Sequence, residues 1–129
     1  VTLWIDCDVL QADGGTRTTS INGALVAVYD ALLYMEEQKS LPNWPMRGMV
    51  SAISVGLCNG EPLVDLDYSE DSTADADLNI ICASDGKLIE VQGAAETRPL
   101  TTEQFHEMVA IGQKACTGID TLQRQALGL

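Results

Sequence analysis

The chain has 129 residues, 46% of them hydrophobic, enough for one folded domain with its own core and too apolar for a disordered segment. Nineteen acidic residues against seven basic ones give a formal charge of −12, a balance that argues against a main surface built to meet a polyanion. No run approaches the roughly eighteen uninterrupted apolar residues of a membrane span, and the first residues lack the basic-then-apolar order of a secretory signal, so a soluble, cytosolic protein is expected.

In chain order, Thr2 to Leu10 alternates with the period of a strand. Leu3, Ile5, Cys7 and Val9 fall on one side, and Trp4, Asp6, Asp8 and Leu10 on the other. The chain starts at Val1 and enters this run at once, which reads as the second part of something longer, with an incomplete N-terminal part. After a turn built on Asp13, Gly14 and Gly15, the spacing of Ile21, Leu25, Val28, Leu32 and Met35 predicts a helix from about Thr18 to Glu37. Gln38 to Arg47, with Pro42 and Pro45, is a connection and the expected boundary between two parts of the chain.

Four strands are expected next, near Met49 to Leu57, Pro62 to Tyr68, Ala74 to Ala83 and Lys87 to Gln92. Asn59-Gly60 and Asp85-Gly86 lie at the joints of two hairpins, since both dipeptides readily take positive φ. A capping box from Thr101 to Gln104 opens a last helix, with Phe105, Met108, Gly112, Cys116, Ile119 and Leu122 on its inner side. The order predicts an α+β fold with helices packed on a mixed sheet.

Cys7, Cys58, Cys82 and Cys116 lie far apart with no C-x-x-C pair, so they are expected to be reduced thiols, mostly buried, and not zinc ligands. His106 is expected at the surface, and Trp4 against a neighbouring subunit, with stacking on a base as the alternative.

Two stretches could carry chemistry. Gly14 to Arg17 stands where a strand gives way to a helix; free backbone N–H groups and the positive end of the helix dipole favour an anion there, and Arg17 can fork onto its oxygens. The same residues also fit an ordinary turn with a surface arginine. The second stretch, Asp65 to Asn79, holds Asp65, Asp67, Glu70, Asp71, Asp75 and Asp77. In a strand Asp75, Asp77 and Asn79 share a face, the two carboxylates about 7 Å apart, with Asp71 able to fold back toward them. Clustered carboxylates suit a hard cation such as Mg²⁺, but they equally suit a solvated loop that guards a sheet edge.

Three stretches, "WIDCDVLQADGGTRT" from Trp4, "AISVGLCNGEPLVDLDYSEDSTADADLN" from Ala52 and "EVQGAAE" from Glu90, closely resemble the later part of bacterial ribonuclease PH. The resemblance implies a ribosomal-protein-S5-domain-2-like fold. In it residues 1–45 end a first exoribonuclease subdomain, residues 46–129 form a second, and the two make one compact unit. It implies a homohexameric ring, a trimer of dimers, and Mg²⁺-dependent phosphorolysis that trims the 3′ ends of tRNA precursors or other RNA with inorganic phosphate. Carried over by position, Gly15, Thr16 and Arg17 correspond to the phosphate-binding turn. Asp71 and Asp77 correspond to the acidic pair at the catalytic metal, with Asp75 as a helper. The family draws a further phosphate-binding arginine and much of its RNA-binding surface from an earlier half. A non-catalytic scaffold subunit and a fragment that completes the fold with a partner piece are the alternatives.

Overall fold

A computed structural model describes residues 1–129. Strands β1 (Val50–Cys58), β2 (Glu61–Val64), β3 (Ala76–Ala83) and β4 (Leu88–Ala95) form one sheet in the order β2-β1-β3-β4. Helices α1 (Thr16–Glu37), α2 (Tyr68–Asp71) and α3 (Thr102–Leu127) complete the chain. No helix is long and apolar enough to cross a membrane.

The architecture is α+β, but every strand pair is antiparallel and the sheet is not mixed. The reason is connectivity. β1–β2 and β3–β4 are hairpins, closed by Asn59 and Gly60 at φ 53° and 82° and by Gly86 at φ 81°. The link through α2 returns β3 to the other side of β1, antiparallel to it. β2 stops at Val64, earlier than expected, because Asp65 turns to φ 60° and Asp67 then caps α2 with a capping box shared with Glu70.

α3 packs on one face of the sheet and supplies Met108 and Cys116 to a core of Ile53, Val55, Leu57, Ala76, Leu78, Ile80 and Cys82. Gly112 lets the helix lie close, since a Cβ there would stand 2.3 Å from Ile80 Cδ1. The expected inner stripe of α3 drifts. Two steps of three past Cys116 each fall about 60° short of a full turn, so Leu122 lies about 120° off the core line and is exposed, whereas Gln123, seven residues on, returns to it. Gln123 Nε2 donates to the Val50 carbonyl at 3.1 Å, which lets a polar side chain be buried.

α1 runs past the edge of β1 that β2 leaves open, its N-terminal turn over the opposite face and its middle against α3, where Gln123 Nε2 donates to the Asn22 carbonyl at 3.4 Å. Asn22 pins it by donating from Nδ2 to the Ala52 carbonyl and accepting the Ala52 amide, both at 2.8 Å. Only Thr18 and Leu32 of this helix are buried. Its small residues Gly23, Ala24, Ala27 and Ala31 line a groove of about 720 Å³ beneath residues 3–11.

Those first residues correct one expectation. Thr2 to Leu10 does not join a sheet; Trp4 and Leu10 face outward, each 94% exposed, while Leu3 and Val9 lie over the groove. The alternation is present, but a strand forms only where a neighbour's backbone accepts its hydrogen bonds, and none of the four paired strands adjoins this segment. All four cysteines are free; Cys82 and Cys116 are buried, Cys58 is half-buried and Cys7 is exposed. His106 is at the surface, as expected.

Candidate active site at the N-terminus of α1

The site is assembled on the sheet face that α3 does not cover. Because side chains alternate along a strand, the residues skipped by the core all point there. Three adjacent cross-strand rungs build the floor: Ala52–Ile81–Glu90, Ser54–Asn79–Gln92 and Gly56–Asp77–Ala94. Charge is graded across them, with a carboxylate at each end and a neutral polar rung between.

The turn before α1 stands over this floor. Gly15 caps the helix in the left-handed region, φ 73° and ψ 26°, with no side-chain cap. The first intrahelical bond runs from Thr19 N to Gly15 O at 2.9 Å, so the amides of Thr16, Arg17 and Thr18 precede it and have no helical acceptor. A Cβ on Gly15 would lie 3.1 Å from Ser54 Oγ and 3.2 Å from Thr18 Oγ1. Ser54 is 5% exposed and its Oγ has no hydrogen-bond partner. Thr16 Oγ1 donates to the Asp13 carbonyl at 3.0 Å, which closes the turn from inside.

One contact ties this turn to the acidic stretch 55 residues away. Asp13 Oδ1 accepts the Gly14 amide at 2.8 Å and also the Tyr68 amide, the first of α2, at 2.5 Å. Gly14 makes the approach possible, because a Cβ there would sit 2.0 Å from the Leu66 carbonyl oxygen. Leu66, 2% exposed, fills the space that Gly56 leaves on β1. The short helix α2 is thereby docked beside the glycine turn, with Asp71 at its last position.

Asp77 and Asp71 come together electrostatically. The Asp77 carboxyl is held above its ordinary pKa, first by burial and then by the negative charges of Asp71 and Glu96. Such mutual repulsion is what a cation relieves. Nowhere do three or more His, Cys, Asp or Glu side chains converge to enclose a metal. The donor set nevertheless fits Mg²⁺, which keeps several waters and commonly binds through one or two carboxylates together with substrate phosphates.

Asp75 does not belong to this pair, contrary to expectation. Its Oδ1 accepts from Thr97 Oγ1 at 2.7 Å and Arg98 Nε at 3.1 Å, and its Oδ2 from Arg98 Nη2 at 2.7 Å. The Arg98 guanidinium, followed by Thr97, holds the carboxyl below the usual carboxylate range. With both oxygens engaged, Asp75 secures the chain after β4 and is a poor metal helper.

Arg17 reaches from α1 across the floor to β4, where its Nη2 lies 2.9 Å from Glu90 Oε1. With 46% and 40% of these side chains exposed, the pair contributes about 0–1 kcal/mol to stability. Sequence reasoning singled out the turn and the acids and put Asn79 on the face of Asp77, but it did not reach Ser54, Gln92 or the partner Glu90. Their shared face depends on strand register, and the one available signal was their placement opposite the apolar residues of each strand.

Residues 48–115 match the family described as 3′ exoribonuclease family, domain 2. The fold is also similar to the crystal structure of rice (Oryza sativa) Rrp46, with a TM-score of 0.72 and 19% sequence identity over 93% of this chain and 51% of that one. This chain therefore spans about half the length of the rice protein.

Proposed function

The chain belongs to the 3′ exoribonuclease family, and from that premise we propose that it forms the catalytic part of a phosphorolytic 3′-to-5′ exoribonuclease acting on tRNA precursors or other RNA 3′ ends. The observation that carries this reading is the Asp13 bridge, which seats an anion-ready helix terminus and a repelling carboxylate pair on one sheet face.

In the proposed reaction an oxygen of inorganic phosphate attacks the phosphorus of the last phosphodiester. The bond to the 3′ oxygen of the preceding nucleotide breaks, and a nucleoside 5′-diphosphate leaves. Gly15 and the amides of Thr16 and Arg17 cradle the attacking phosphate, and the Arg17 guanidinium offsets its charge. Mg²⁺ held through Asp71 and Asp77 would supply the positive charge that offsets the negative charge gathering on the reacting phosphoryl oxygens. The Ser54 hydroxyl, beneath Gly15, and the Asn79 amide lie on the rung next to that of Asp77. No protein nucleophile is required.

On the same reading residues 1–45 close a first exoribonuclease subdomain and residues 46–129 form the second. The assembly is a homohexameric ring, and the site of action is cytoplasmic. The test is to incubate the protein with Mg²⁺, inorganic phosphate and a 3′-extended tRNA. Phosphate-dependent release of nucleoside diphosphates is expected; shortening that yields monophosphates, or none at all, would overturn the reading. Light scattering in solution reports the ring.

A further inference from the structure

We propose that Glu90 is a positioning residue for Arg17, holding the guanidinium on the anion side of the floor and out of reach of the acidic pair. The inference rests on the reading of the α1 terminus as a phosphate site and adds to it a residue that the site otherwise leaves without a role.

The rungs carry the argument. Glu90 aligns with Ile81 and Ala52, whereas Asp77 aligns with Gly56 and Ala94, and the neutral Ser54–Asn79–Gln92 rung lies between. Arg17 is the second residue of α1, two past Gly15, which stands over Ser54 of this middle rung. Two opposite pulls act on it from there. Asp71 and Asp77, already repelling one another and Glu96, form an electronegative corner that attracts any mobile cation. A guanidinium that settled there would fill the position a divalent ion needs and would abandon the helix amides. Glu90 draws it the other way, through the 2.9 Å contact to Nη2.

A pair this exposed adds little to stability, so its consequence is orientation. Arginine carries five N–H donors in a fixed fork, and the contact with Glu90 engages Nη2, so the remaining donors can serve an anion at the amides of Thr16 to Thr18. The carboxylate thus pre-orders a flexible side chain for an anion that arrives later. Without it, that ordering has to be supplied when the anion binds.

The experiment titrates inorganic phosphate into the isotopically labelled chain and follows the Gly15 and Thr16 amides and the Arg17 side-chain Nε–H by NMR. For Glu90→Ala the expected result is phosphate binding weakened about two- to tenfold, the worth of one immobilised rotamer-rich side chain. The Arg17 Nε–H signal should become more mobile and the unfolding midpoint should stay unchanged. Glu90→Gln, which keeps an acceptor in place, should fall between the two. Unchanged or tighter phosphate binding in Glu90→Ala would overturn the proposal, the latter by making Glu90 a competitor. Arg17→Ala separates the levels. If it leaves phosphate binding intact, or if the unaltered chain shows no response to phosphate, the phosphate-site reading itself fails. If Arg17→Ala weakens binding and Glu90→Ala does not, only the role of Glu90 falls.

Discussion

The two faces of the sheet are built from the same strands and do opposite work. Toward α3, Val55, Leu57, Leu78 and Ile80 close a dry core; toward α1, Ser54, Gly56, Asp77 and Asn79 present hydroxyl, backbone, carboxylate and amide. Alternation allows both, since each residue in β1 and β3 serves one face only. The contrast teaches that stability and chemistry here are interleaved residue by residue and not divided between regions. A change on one face should therefore leave the other largely intact.

The largest effect should come from the dry face. Ile80→Ala removes a fully buried side chain beneath Gly112, and a loss of about 2–5 kcal/mol is expected, read by denaturant unfolding. Asp77→Asn, three residues away, should do the reverse. On the proposed function, phosphorolysis should fall at least about a hundredfold as a proposed metal ligand is lost. Stability at neutral pH should rise. The sign follows from the raised pKa: folding disfavours the ionised Asp77, so ionisation costs stability above that pKa. The advantage of Asn over Asp shrinks as pH falls through the raised value and is gone below about pH 4, where both states are protonated. Unfolding midpoints measured against pH check this, and a destabilised Asp77→Asn at pH 7 would break the contrast between the faces.

Gly14→Ala tests the joint between the turn and the acidic stretch. A Cβ placed 2.0 Å from the Leu66 carbonyl cannot be accommodated without backbone movement, and a cost of about 1–3 kcal/mol is expected together with loss of the Asp13 to Tyr68 contact. Exchange of the Tyr68 amide with solvent deuterium should accelerate more than exchange in β1. The smallest effect belongs to Arg98→Ala, at the margin of both faces. Because Arg98 holds the Asp75 carboxyl low, the pair's contribution is present above the ordinary carboxylate value and is lost as pH falls through the depressed one. The variant's deficit at neutral pH should therefore close in acid, which a melting series in pH measures.

Much of the fold was legible in residue order because its signals are local. The hairpin dipeptides Asn59-Gly60 and Asp85-Gly86, the capping box at Thr101 and the alternation through Ala76 to Ile80 each depend on neighbours a few residues away. Where partners lie far off in sequence, the reading failed. Thr2 to Leu10 has a strand's period and no strand to pair with, α2 was missed because four residues carry no periodicity, and Asp75 was grouped with Asp77 before Arg98 was known to hold it. In the site, the turn and the acids were legible as residue types that suit anions and cations. Their proximity was not, because a single hydrogen bond from Tyr68 to Asp13 spans 55 positions.

By itself, then, the sequence determined which segments turn, cap and alternate, and which side chains are chemically able to hold a phosphate or a divalent cation, since those properties belong to residues and their near neighbours. Only the tertiary structure decided that the sheet is antiparallel throughout, that the charge of Asp71 acts on Asp77, and that Arg17 leans on Glu90. Register between strands and the docking of a helix on a sheet are set by the packing of the whole core, and no short stretch of residues encodes them alone.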